Sequence, residues 1–340
     1  MEEEVKESFL QRKNIEFSLK RYGIDALGAM ALGLFASLIV GLILKVLGEK
    51  LGIGFLVDCG LKAMAMMGPA IGVAVAYGLQ APPLVLFAST ITGLLGAELG
   101  GPAGCFVAVV VGAELGKLVS KETKVDIIVT PMTTIIIGIA VAKFVGPGIN
   151  SFMVALGELI MRATVLKPIP MGILVSLLMG LALTAPISSA ALAIMLDLSG
   201  LAAGAATVGC SAQMIGFAIA SYRENGWGGL ISQGLGTSML QIPNIVKNPL
   251  ILLPPTLTSM IIGPLATTIF PMENVPAGAG MGTSGLVGQF GTIEAMGASS
   301  SVLWQIGLLH IILPAVITLL FTEFMRKKGW IKFGDLKLDI

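Results

Sequence analysis

The chain predicts an all-α, polytopic membrane protein of about ten transmembrane helices, with re-entrant hairpins in its C-terminal half. Of its 340 residues, 55% are apolar and only 12% charged, against roughly 25% charged in soluble chains. The mean hydropathy is +0.92. Stretches such as 27–44 and 250–268 carry no charge and are as long as a bilayer core requires. These observations exclude disorder and a secreted disulfide scaffold. A net charge of +1 excludes nucleic acid as a partner and leaves the lipid bilayer as the expected surroundings.

Residues 1–22 read as a mixed-charge cytoplasmic leader without a signal-peptide pattern. Lys6, Arg12, Lys13, Lys20 and Arg21 precede the first span, and Arg326, Lys327, Lys328, Lys332 and Lys337 follow the last. The positive-inside rule therefore places both termini in the cytoplasm and requires an even number of crossings. Lys117, Lys121 and Lys124 mark one internal cytoplasmic loop. Breaks at Gly, Pro and charge predict spans at 26–47, 54–79, 84–99, 101–118, 125–146, 168–185, 200–222, 228–246, 248–270 and 301–325.

The domain order follows from texture. Residues 23–147 are smooth and form a scaffold half. Residues 148–167, with Glu158 and Arg162 four apart on one helical face, form an amphipathic linker. Residues 168–325 form a transport half, and 326–340 a cytoplasmic tail. In the transport half Pro186, Pro243, Pro249, Pro254, Pro255, Pro264, Pro271 and Pro276 stand beside polar residues. A proline inside a membrane helix frees a carbonyl that must find a partner or line a wet cavity. Broken helices at membrane depth are how transporters build solute sites. In the first half Gly-Ala-Glu-Leu-Gly occurs at 96–100 and 112–116, and Glu98 and Glu114 read as helix-end acids. Cys59, Cys105 and Cys210 lie far apart among apolar neighbours and read as reduced. No metal-binding pattern appears, and no cofactor is expected.

Two polar segments stand out. Asn244 and Asn248 are one helical turn apart and can project to one side. The stretch from Glu273 and Asn274 through Thr283, Ser284 and Gln289 to Glu294 has glycine at 278, 280, 282, 285, 288 and 291. It lacks the order of a nucleotide-binding loop. Met281, Leu286, Val287, Phe290 and Ile293 would be exposed to water in a free loop, so a hairpin buried in protein fits better. Its hydroxyls and amides suit a neutral polyol, an anion or a file of water. The candidate solute-binding residues are Asn244, Asn248, Glu273, Asn274, Thr283, Ser284, Gln289 and Glu294. No catalytic residue is assigned. His310 reads as a packed helix residue with a backbone partner.

The run Asn248-Pro249-Leu-Ile-Leu-Leu-Pro254-Pro255 resembles the Asn-Pro span of the membrane-embedded IIC subunits of the bacterial phosphotransferase system. The Met-Glu-Asn…Gly-Ala-Gly-Met-Gly-Thr-Ser-Gly-Leu-Val-Gly stretch is similar to the divergent, stand-alone IIC-like branch of perfringolysin-regulator type. The resemblance implies a ten-helix fold with an N-terminal dimerisation half and a homodimer. It also implies a sugar permease of the cell inner membrane whose transport half moves like an elevator. Two departures matter. The acid that typical members carry before the Asn-Pro span has no counterpart: Gly236-Thr237-Ser238 has no carboxylate, and Thr184-Ala185-Pro186 has alanine in its place. The chain also carries no phosphorylatable IIA- or IIB-type site, so it reads as a non-enzyme, and a phosphoryl donor would be a separate IIB-like cytosolic protein. The leading expectation is a permease for a small polar solute of the sugar or polyol class. The alternatives are a ligand-sensing membrane regulator and an ion- or proton-coupled transporter using Glu114, Lys143 and Asp197.

Overall fold

In a hydrocarbon core every backbone N–H and C=O must be satisfied within the protein, which an apolar helix does by itself. The computed structural model describes residues 9–338 and is all-helical. Among the described residues there is no strand, only an isolated antiparallel bridge between Gly200 and Asn274. Lys6 and the rest of 1–8 in the expected leader, and the last two residues of the tail, lie outside the described residues.

Six described helices are long and apolar enough to cross a bilayer: Arg21–Glu49, Pro83–Val119, Asp126–Thr164, Gly200–Ala220, Pro249–Thr268 and Ser300–Lys327. The bent pair Gly54–Ala65 and Met67–Gly78 makes a seventh if it is one span. The expected count of ten is not confirmed. One reason is that 228–246 is not one continuous helix but a chain of short helical pieces. Another is that Pro168–Thr184 is short for a crossing.

The chain divides into two compact units, one of residues up to Leu38 with Ala65–Asn150, the other of Ile39–Met64 with Ser151 onward. Residues 39–64 thus group with the C-terminal portion. Residues 148–164 of the expected linker continue the Asp126–Thr164 helix without a break.

In the first unit the Pro83–Val119 stretch turns back on itself. Gly100 leaves helical geometry, and Gly101 takes φ 60°, ψ −155°, a conformation open to glycine because it has no Cβ. The two arms then pack antiparallel: a Cβ on Gly96 would meet Cys105, and one on Gly116 would meet Val85. The arms correspond to the expected 84–99 and 101–118. Thr92 Oγ1 donates to Thr134 O at 3.3 Å, joining this hairpin to the next helix.

In the second unit, helices Pro168–Thr184, Gly200–Ala220, Leu253–Thr268 and Leu313–Lys327 pack closely. Small residues at the crossings let the backbones approach. Gly172 meets Gly263, Gly180 meets Gly209, and Gly216 meets Thr318 and Pro255. Ser176 Oγ donates to Ser259 O at 2.8 Å, and Thr318 Oγ1 to Thr258 Oγ1 at 2.9 Å. The Gly200–Ala220 helix lies at the centre of this bundle and is the most buried of the candidate spans.

Candidate functional site

Two interrupted segments lie along the central helix of the second unit, entering from opposite ends. The first begins at Asn274, whose backbone pairs with Gly200 in both directions, at 3.0 and 3.2 Å. It advances through Pro276–Ala279 and returns as Val287–Met296. Its contacts climb the central helix in register: Met272 against Gly204, Gly288 against Thr207, and Gly282 against Cys210 and Ser211. The tip is reached where Thr283 Oγ1 lies 3.6 Å from Met214 Sδ. From Gly204 to Met214 is ten residues, or about 15 Å at 1.5 Å per residue. That is half of a bilayer core of about 30 Å.

Asn274 holds this hairpin closed. Its Nδ2 donates to Thr207 Oγ1 at 2.7 Å, Gly288 O at 2.9 Å and Thr292 Oγ1 at 3.2 Å. Its Oδ1 accepts from the Val275 amide at 2.8 Å. Gly278 and Gly291, one on each arm, leave the room that this side chain fills. At the tip, Gly282 (φ 52°) sits against the central helix backbone so closely that no side chain fits.

The second segment starts where the central helix ends at Ser221. It runs through Tyr222–Ile231 and Ser232–Gly236, then turns at Thr237 into Ser238–Gln241 and Ile242–Lys247. Gly226 (φ 57°, ψ −150°) breaks it early. The two tips touch: Thr283 Oγ1 donates to Gly234 O at 2.5 Å.

Beside this junction lies a neutral polar cluster. Thr184 Oγ1 is 2.8 Å from Ser238 Oγ and 3.2 Å from Gln213 Oε1, and Gln213 Nε2 donates to Thr256 Oγ1 at 3.0 Å. Gln289, on the returning arm, places Nε2 3.0 Å from His310 Nδ1. All of these except Thr256 are buried. On or against the first hairpin, Ser211 Oγ, Ser284 Oγ, Gln289 Oε1 and His310 Nε2 are buried without a hydrogen-bond partner; elsewhere in the unit so are Glu224 Oε2, Gln305 Oε1 and Arg326 Nε. Such groups are rare in folded proteins, and each is met by water, an ion or a ligand or serves a strained or reactive site.

Of the eight candidate residues, Asn274, Thr283, Ser284 and Gln289 are buried in the first hairpin. Glu273 and Glu294 are exposed on its two arms. Asn244 and Asn248 do project to one side, but onto the C-terminal tail. Asn244 Nδ2 donates to Lys337 O at 2.8 Å, and Asn248 Nδ2 to Asp335 Oδ2 at 2.8 Å and Trp330 O at 3.1 Å. Gln241 and Asn225 hold the tail from the same side by donating to Leu336 O. His310 departs from expectation, because its partner is a side chain of the hairpin and not the backbone of a neighbouring helix. Glu114 departs too: it is a buried member of an ion-pair cluster in the first unit. The sequence reading missed Ser211, Gln213 and Ser238. Their only signal was polarity inside an apolar stretch, which many membrane helices share.

No curated protein and no solved structure matches the chain. The family described as "Phosphotransferase system, EIIC" matches residues 24–338, nearly the whole length. That match joins the long apolar helices and the broken segments in one statement: the chain belongs to the phosphotransferase-system EIIC family and is a multi-pass, IIC-like membrane permease.

Proposed function

We propose that the permease carries a small neutral polyhydroxylated solute, of the sugar or polyol class, through the meeting point of the two hairpins. The carrying observation is the set of partnerless buried atoms on Ser211, Ser284, Gln289 and His310. An unmet hydroxyl or amide in a dry interior costs about 1–3 kcal/mol, and a solute hydroxyl arriving there recovers that cost. The chemistry favours a neutral solute. The groups at the junction are hydroxyls, carboxamides and one imidazole, while Glu273 and Glu294 face outward. Asn274 and Thr283 have their bonds filled and serve to position the tip. Asn244 and Asn248 act at one remove, by holding the tail against the second segment. The elevator-like movement, the homodimer, the inner-membrane location with both termini cytoplasmic, and a separate IIB-like donor complete this reading, with the second unit as the carrier.

The test is equilibrium exchange of labelled sugars and polyols into proteoliposomes. The purified chain should accelerate one of them, and Ser284→Ala and Gln289→Leu should each slow that exchange about tenfold, as for loss of one well-made hydrogen bond. Ser284→Ala should raise the unfolding midpoint and not lower it, because the buried hydroxyl it removes has no partner to lose. Exchange at the full rate in both variants would place the pathway elsewhere.

A further inference from the structure

The first unit holds a feature that solute passage does not use. Beside the last turn of the Pro83–Val119 helix, a cavity of about 610 Å³ is lined by Arg12, Lys13, Lys117 and Lys121, with Glu122 as its one acid. Charge is therefore in excess by three positives on its walls. The acids packed around it do not cancel this excess. Glu114 pairs with Lys117 at 2.8 Å and lies 3.7 Å from Arg21, which adds a further positive charge. Asp126 accepts the Lys121 backbone amide at 2.7 Å and the Thr130 hydroxyl at 2.6 Å. Glu122 is shared between Lys13 at 2.5 Å and Arg12 at 3.6 Å.

The donors divide into committed and uncommitted. Lys117 Nζ is buried, pairs with Glu114 at 2.8 Å and donates to Asn14 O at 2.8 Å and Leu79 O at 3.0 Å, so its charge is matched and it is fully committed. Lys13 is held by Glu122 and by the Ser120 carbonyl. Arg12 and Lys121 stand exposed at the rim, with most of their donors available.

The backbone around the cavity is also unusual. Among the described residues five non-glycine residues have positive φ, and three of them line this one cavity: Asn14 at 54°, Gln80 at 54° and Lys121 at 60°. Side chains resist that conformation, and it gathers at sites where the surrounding structure fixes a geometry for binding. Asn14 and Gln80 are tied together, Asn14 Nδ2 donating to Gln80 Oε1 at 2.6 Å, and Arg21 Nη1 donates to Asn14 Oδ1 at 3.2 Å. The cavity wall is thus held in place from the buried side while its rim cations stay open.

We propose that this cavity binds a phosphate-bearing anion, through Arg12 and Lys121 at the rim, above a wall held in place by the paired Lys13 and Lys117. Guanidinium and ammonium groups match phosphate oxygens with charge-assisted hydrogen bonds. The phosphate can arrive on a lipid headgroup, since the cavity lies where an apolar helix ends, or free from the aqueous phase.

The test uses the full chain in phosphatidylcholine nanodiscs. Inorganic phosphate is titrated against chloride at constant ionic strength. In parallel, retention of phosphatidylglycerol over phosphatidylcholine is measured on the purified protein. Saturable binding of inorganic phosphate identifies the soluble source, and selective retention of phosphatidylglycerol identifies the lipid. Whichever binds should weaken about tenfold in Arg12→Gln and in Lys121→Gln, both exposed positions whose change leaves the buried pairs intact. Lys124→Gln, in the same loop but outside the cavity, should bind as the unaltered protein does. Absence of saturable binding by both probes, or equal weakening by Lys124→Gln, would overturn the proposal.

Discussion

The buried polar groups around Glu114 in the first unit and those at the hairpin junction in the second solve opposite problems. Around Glu114 they are charged and matched. Arg21, Glu114 and Lys117 are all buried, and where Arg21 Nε and Glu114 Oε2 lack a hydrogen bond, each still faces an opposite charge. In the second unit the groups at the hairpin junction are neutral and partly unmatched. A buried charge must be permanently paired, because exposing it alone to a low-dielectric interior is prohibitive. A buried hydroxyl can trade partners at modest cost. The first arrangement suits a part that keeps one geometry, and the second a part that meets and releases a solute. A transport site built on neutral donors also needs no counter-charge to move with it.

That contrast breaks if the charged cluster tolerates losing a member. Lys117→Met leaves Glu114 with Arg21 at 3.7 Å and the Tyr22 hydroxyl at 3.3 Å and abandons the Asn14 and Leu79 carbonyls. The expected cost is about 3–5 kcal/mol of unfolding free energy, read as a lowered midpoint in detergent. Adding Glu114→Gln should return a large part of it, since the stranded charge is then gone. A silent Lys117→Met would show that water reaches the cluster and that its pairing is not structural.

The second unit offers the matching experiment at Asn274, whose side chain is fully bonded. Asn274→Ala removes an amide whose two N–H groups serve three acceptors and whose oxygen accepts one bond, and it opens a gap between Gly278 and Gly291. At about 1 kcal/mol for each bond, the loss is about 3–4 kcal/mol, and uptake should fall with it. Asn274→Asp should behave nearly as badly, because a carboxylate cannot donate to Thr207 or Gly288. Stability kept in both variants would mean that the hairpin is held by backbone packing alone.

Much of the fold was legible because bilayer physics writes it in composition. The charge-free runs, the turn at Gly100–Gly101 between 84–99 and 101–118, and the glycine-dense stretch ending near Glu294 were all visible as patterns. The partner of each polar side chain was not. Asn244 and Asn248 lie one turn apart, but nothing local says that they meet Lys337 and Asp335 some ninety residues later. His310 sits in an apolar run, and only the packing brings Gln289 to it. The segment 228–246 is apolar enough for a span, and Gly226 and Pro243 did not by themselves reveal that it folds as a second broken segment. Long-range pairing is a property of the assembled helices, and single-chain periodicity carries no record of it.

The smallest expected effect lies at the edge of the first unit, and it asks how much an exposed pair adds to the buried cluster. A hydrogen bond from Lys13 holds the Glu122 carboxyl below its ordinary range, with the positive charges of Lys13 and Arg12 acting in the same direction. A carboxyl whose folded value lies below its unfolded one stabilises the fold above the unfolded value, and that contribution fades as pH falls through the folded one. The unfolding midpoint of the protein minus that of Glu122→Gln should therefore be positive near about pH 7 and shrink toward zero below about pH 4, the ordinary glutamate range. The pair is solvent-exposed, so the difference should be small and should also shrink in high salt. No difference even near about pH 7 would mean that the N-terminal segment is held to the 120–125 loop by Lys13 on the Ser120 carbonyl and not by charge. The first unit's fixed geometry would then rest on its buried pairs alone.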